Sequence, residues 1–152
     1  MRFFILRHGK SPSLSEARVK HDAERPLSDA GREDARGAAR EIVQRGGSPV
    51  VIYHSPIKRA AQTAAEAAAI LNPPKGTRPF EPLSNHTPGE LLYDCLVREC
   101  GDQEFLVVGH QPQLGEMIAF LTGEEVDLRP GAVAALSTDA AGKARLLWTK
   151  NP

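Results

Sequence analysis

Short apolar runs recur along this chain, each fenced by charge, glycine or proline and each followed by a longer helical stretch. Residues 3–6 form the first such run, Phe-Phe-Ile-Leu, which predicts a strand buried on both faces. The polar segment 10–27, broken by Pro12 and Pro26, predicts a long irregular loop directly after a strand, and such long loops are either functional or disordered. Ser28 has the position of an N-cap for a helix over 29–45, closed by Gly46-Gly47. A second apolar strand is predicted over 49–53, and Ser55-Pro56 has the cap-then-proline pattern that opens an alanine-rich helix reaching about Leu71. Asn72-Pro73-Pro74 ends it.

Residues 78–81 predict a short strand. Thr87-Pro88-Gly89-Glu90 has the spacing of a capping box, opening a helix to about Glu99. Residues 104–108, with the run Phe-Leu-Val-Val, are the clearest strand, and Pro112 starts a helix that ends near Gly123. The segments 132–137 and 144–148 flank Asp139-Ala140-Ala141-Gly142 and predict a closing hairpin. Strands alternating with helices imply an α/β fold, a three-layer α/β/α sandwich with a mainly parallel sheet. The closing antiparallel hairpin makes that sheet mixed. No internal repeat is found.

The 152 residues fit one domain spanning 1–152. Nineteen basic residues balance nineteen acidic ones, so there is no overall pull toward nucleic acid or anionic membranes, and attraction for an anion must be local. The apolar start is too short for a signal-peptide core, and no segment approaches the roughly 18 apolar residues of a spanning helix. A cytoplasmic protein is expected. Cys95 and Cys100 match neither a metal-ligand nor a disulfide pattern and read as reduced, partly buried thiols. No compact histidine–carboxylate spacing points to a metal, and neither a Gly-x-x-x-x-Gly-Lys loop nor a dinucleotide fingerprint is present.

In open α/β sheets, ligands gather beyond the carboxyl ends of the strands. Arg7-His8-Gly9 follows the first predicted strand, His54-Ser55-Pro56 and then Arg59 follow the second, and Gly109-His110-Gln111-Pro112 follows the fourth. Topology therefore brings two arginines and two or three histidines to one rim. A guanidinium presents a planar fork of donors suited to phosphate oxygens. A histidine is a nucleophile when one ring nitrogen is free and the other is held by a hydrogen bond. Gly9 allows close backbone approach, and the helix starts after Ser55 and Gln111 can add backbone donors.

On these residues the chain resembles the histidine phosphatase, or phosphoglycerate-mutase-like, superfamily. The resemblance rests on Arg7-His8-Gly9, on Ser55-Pro56-Ile57-Lys58-Arg59-Ala60-Ala61-Gln62-Thr63, and on Gly109-His110. Arg25-Pro26-Leu27-Ser28 with Gly31, and Gln111-Pro112 with Leu114-Gly115, resemble the small SixA-type phosphohistidine phosphatases. The resemblance implies that His8 attacks phosphorus and is transiently phosphorylated. It implies that Arg7 and Arg59 bind the phosphoryl oxygens and that His110 stabilises the transition state. It implies no metal and no cofactor. The expected partner is a phosphorylated protein carrying phosphohistidine, or else a small phosphate ester.

Many members of that family carry a carboxylate that protonates an alcohol leaving group, and Glu90 is the nearest candidate here, with capping as its structural explanation. Arg25 is expected as a further phosphate or substrate contact, or as an ion pair anchoring the loop, and Ser11 as a substrate-binding hydroxyl. Lys10 stands where mutase-like members have an acidic residue. His54 can line the site from its strand end; His21 and His86 are weaker candidates, and Trp148 reads as core. Three functions remain open: a SixA-type phosphohistidine phosphatase, a phosphomonoesterase for small molecules, and a binding module for phosphorylated ligands without catalysis. The intact set of His8, His110, Arg7 and Arg59 argues against the third.

Overall fold

The computed structural model describes residues Met1–Pro152. Six strands form one sheet in the order β3-β2-β4-β1-β5-β6. Strand β1 (Arg2–Arg7) is central, running parallel to β4 (Phe105–Gly109) and antiparallel to β5 (Val133–Thr138). Strands β2 (Val51–His54) and β3 (Thr77–Pro79) continue the parallel half, and β6 (Ala144–Lys150) closes the antiparallel hairpin. The α/β fold with a mixed, mainly parallel sheet is the one expected.

Alternation along the strands divides the interior in two. Phe3, Ile5, Tyr53, Phe105 and Val107 face α4 (Gly89–Cys100) and α5 (Gln113–Thr122). Phe4, Leu6, Ile52, Leu106 and Val108 face α2 (Asp29–Gln44) and α3 (Lys58–Leu71), with Trp148 packed against that core. Period-two burial on both faces explains why the central strands read as unbroken apolar runs. Alanines 60, 64 and 67 of α3 meet Ala38 and Ala39 of α2 in the second core, so small side chains let these helices lie close to the sheet and to each other. No helix is long and apolar enough to cross a membrane.

Three local expectations are corrected. The 10–27 segment is not wholly irregular: it holds a short helix, α1 (Leu14–Ala17), and a 3-10 turn at Asp22–Glu24. The capping box forms there, between Ser13 and Glu16, and not at Thr87 and Glu90. Helix α4 starts at Gly89 with Pro88 as its N-cap, because Gly89 is pressed against α5. A Cβ on Gly89 would lie 2.7 Å from the Gln113 carbonyl oxygen. Ser55 is not a cap either, since α3 begins three residues later at Lys58.

The β1 end is held by a close backbone contact. Ser28 caps α2 by accepting from Gly31 N–H, and both its hydroxyl and its N–H donate to the Lys10 carbonyl. A Cβ on Gly9 would lie 2.7 Å from the Gly31 carbonyl oxygen, so only glycine fits at this crossing. Lys10 itself points to Asp34, 3.6 Å away.

Candidate active site

The carboxyl ends of β1, β2 and β4 open on a cleft of about 430 Å³. Arg7, His8, Arg59 and His110 all line it, together with Asp22, Arg25, Ile57, Ser84, Asn85, His86 and Gln111. Parallel pairing produces the convergence: Arg7 stands beside Gly109 in register, and Ser55 N–H donates to the Val108 carbonyl. Clefts of about 470 and 530 Å³ elsewhere contain no histidine.

His8 is nearly buried, and its Nδ1 lies 2.8 Å from the carbonyl oxygen of Gly9. A carbonyl only accepts, so Nδ1 carries the proton and the neutral ring keeps its lone pair on Nε2. That atom lies 3.4 Å from Nε of Arg59. The ring of His110 stands 5.1 Å from that of His8, centre to centre. Its Nε2 is 2.8 Å from the hydroxyl of Ser55, which is fully buried. Thr63 joins the two halves: its hydroxyl donates to the Arg59 carbonyl and accepts from Gly9 N–H.

The cations are fixed by backbone oxygens. Arg7 Nη1 donates to the Leu128 carbonyl at 2.9 Å, while its buried Nε has no partner in the protein. Burial, with the nearby Arg59 charge, lowers the Arg7 guanidinium, and Asp127 opposes the shift. Arg59 Nη1 donates to the Asp22 carbonyl and Nη2 to the Asp22 carboxylate, each at 2.9 Å.

Burial pushes both imidazoles down to about 4. For His8 the Gly9 carbonyl opposes this, while His110, Arg59 and Arg7 add to it; for His110 the arginines add and Asp22 opposes. Both rings are therefore neutral at pH 7, as a nucleophilic imidazole requires. The unfolded chain takes up these protons near pH 6.5 and the folded one only near pH 4, so stability is full above about 6.5 and falls as the pH drops toward 4. Carbon-detected NMR titration should find two histidine rings titrating near pH 4, both moving upward when a tungstate dianion is added. Midpoints near 6.5 in the free protein would contradict the burial argument.

Some expected residues stand elsewhere. Glu90 is exposed on α4 and does not line the cleft, because α4 is set by the packing of Gly89 on α5. Ser11 is outside it too, its hydroxyl donating to the Pro26 carbonyl at 2.6 Å and so stapling the loop. His54 is buried, with Nδ1 2.9 Å from the Ser55 carbonyl oxygen, and does not line the cleft. His21 is exposed and also outside it, whereas His86 reaches the rim. Arg25 lines the cleft and also anchors the loop, through Asp22 at 3.0 Å and the Pro12 carbonyl at 3.1 Å. Asp22 and Ser55 are the site residues that sequence reasoning missed. The one available signal for Ser55 was its place at a strand end, within the stretch that ends at Thr63.

The family model described as histidine phosphatase superfamily (branch 1) matches residues 3–80. An uncharacterised protein of Picosynechococcus sp. is 32% identical over 148 residues, covering 93% of this chain and 87% of its own length. Among solved structures, the protein histidine phosphatase SixA complexed with tungstate superposes with a TM-score of 0.88 at 26% identity, over 100% of this chain and 97% of that one. A phosphoserine phosphatase of Entamoeba histolytica, complexed with 3-phosphoglyceric acid, gives 0.74 at 16% identity, over 99% of this chain and 97% of that one, and shares the fold.

Proposed function

Because the chain belongs to the histidine phosphatase superfamily and is a phosphatase, we propose that it is a phosphohistidine phosphatase of SixA type with His8 as its nucleophile. Nε2 of His8 attacks phosphorus, and the bond from phosphorus to the substrate nitrogen breaks. The leaving ring departs as neutral imidazole when its other nitrogen carries a proton. Arg7 and Arg59 offset the charge on the phosphoryl oxygens, and His110 stands beside the transferring group. Water then attacks the phosphoryl on His8, releasing inorganic phosphate and restoring the neutral ring. Catalysis of this kind is chiefly positioning and charge stabilisation.

The observation that carries the choice of substrate is the state of the one carboxylate lining the cleft. Asp22 is bonded to Arg59 and paired with Arg25, and these lower its carboxyl from the ordinary value. It is held ionised and has no proton to donate to a leaving group, and Glu90 stands outside. An alkoxide leaving group needs a proton donor, whereas an imidazole protonated on its far nitrogen does not. Asp22, Asn85 and His86 also leave the rim exposed, which suits a histidine carried on a protein surface.

One observation favours a second reading. His86 lines the same cleft, and an imidazole there can protonate a leaving alcohol, which would suit a small phosphate ester. Hydrolysis rates on a phosphohistidine-bearing carrier protein and on a panel of small phosphate monoesters separate the two. A kcat/KM for the carrier at least tenfold above every ester supports the proposal. Efficient ester hydrolysis that collapses in His86→Ala, with the carrier left untouched, overturns it.

A further inference from the structure

We propose that Asp22 is a positioning residue that sets the guanidinium plane of Arg59 for the phosphoryl group. The inference rests on the reading of the cleft as a phosphoryl site, and it concerns how that site is assembled.

All three nitrogens of Arg59 are engaged. Nε faces Nε2 of His8 at 3.4 Å, Nη1 donates to the Asp22 carbonyl and Nη2 to the Asp22 carboxylate. The other carboxylate oxygen of Asp22 accepts from Nε of Arg25 at 3.0 Å, and Arg25 Nη1 is pinned to the Pro12 carbonyl. One residue of the loop thus bridges two arginines lining the same cleft. A guanidinium on a flexible stem is useful to phosphate only when its fork is preset. Arg59 also lies close enough to Arg7 to add a positive field there, so without an anion on its outer edge it is pushed away.

Stability does not account for the arrangement. The Asp22 side chain is 61% exposed, and ion pairs of that exposure contribute little to folding. The Arg59 side chain is 9% exposed, so its orientation is what the pair controls. Asp22 is carried by the 3-10 turn Asp22–Glu24.

The test uses the full chain with Asp22→Ala and Asp22→Asn. Misplacement of a group in direct contact with the reacting centre costs about tenfold to a hundredfold. Asp22→Ala is expected to lower kcat/KM by that factor on para-nitrophenyl phosphate and on a phosphohistidine protein alike. It should weaken tungstate binding about tenfold and leave the melting temperature close to the parent's. Asp22→Asn, which keeps an oxygen to accept from Nη2, should recover most of the loss. An unchanged kcat/KM, or tungstate bound more tightly by Asp22→Ala, overturns the proposal, because the carboxylate would then be a bystander or a competing anion. If the parent hydrolyses only one substrate class, the substrate assignment is what is decided, and the tungstate isotherms still decide the role of Asp22. A loss of folding in Asp22→Ala would also count against it, by showing a structural role.

Discussion

Replacing His8 by alanine should stop turnover while leaving the oxyanion site standing. The loss expected when a nucleophile is removed is roughly four orders of magnitude or more in kcat. The ring makes two polar contacts, to the carbonyl of its own neighbour Gly9 and, at a long 3.4 Å, to Nε of Arg59 on α3. The β1 end is held instead by the backbone of Gly9 and Lys10 against Gly31 and Ser28, which alanine leaves intact. His8→Ala should therefore fold, melt within a few degrees of the parent, and bind tungstate within about tenfold of it, since charge-assisted donors from two arginines remain. Steady-state rates together with an oxyanion binding isotherm check this. Residual turnover near the parent level would remove His8 from the chemistry.

Replacing Arg59 by alanine should be the next most damaging change, and its signature differs. Arg59 is a buried donor aimed at Nε2 of His8, so on the proposed mechanism its loss removes charge stabilisation in the transition state as well as capture of the ground-state anion. By analogy with removal of a preorganised donor, kcat/KM should fall by about two to three orders of magnitude. Oxyanion binding should weaken in parallel, unlike in His8→Ala. Both histidine rings should become easier to protonate, because the Arg59 charge helps to hold them down and its side chain helps to exclude water. Arg59→Lys should restore only part of the activity: an ammonium is a point charge and cannot reach His8, the Asp22 carbonyl and the Asp22 carboxylate at once. Comparison of kcat, KM and the ring titrations across the two substitutions separates a lost donor from a disordered site.

The central strands were legible because burial on both faces leaves an unbroken apolar run, as in Phe3–Leu6 and Phe105–Val108. The hairpin was legible from its turn, where Asp139 accepts from Ala141 and Lys143 N–H groups and Gly142 takes a positive φ of 80°. Helix starts were less so. A Ser-x-x-Glu or Thr-x-x-Glu spacing occurs at both Ser13 and Thr87, and only tertiary packing decides between them. Gly89 is drawn onto α5, and this sets the start of α4 away from Thr87. Of the site, the four residues that end or follow strands were legible, because parallel pairing fixes where strand ends go. Asp22 was not. Its partner Arg59 is 37 residues away, and a carboxylate in a polar loop has no pattern that distinguishes it from a solvated one. Ser55 was hidden by a plausible local role as a cap, where the fold instead turns its hydroxyl inward onto His110.

The central claim is that Nε2 of His8 takes the phosphoryl group. Rapid quenching in alkali during turnover of a labelled phosphoryl donor, followed by peptide mass spectrometry, tests it directly. The expected result is acid-labile, alkali-stable phosphate on His8, at no more than one per chain, and none in His8→Ala. Label on His110 or another side chain, or turnover with no phosphorylated protein at any time point, would contradict it.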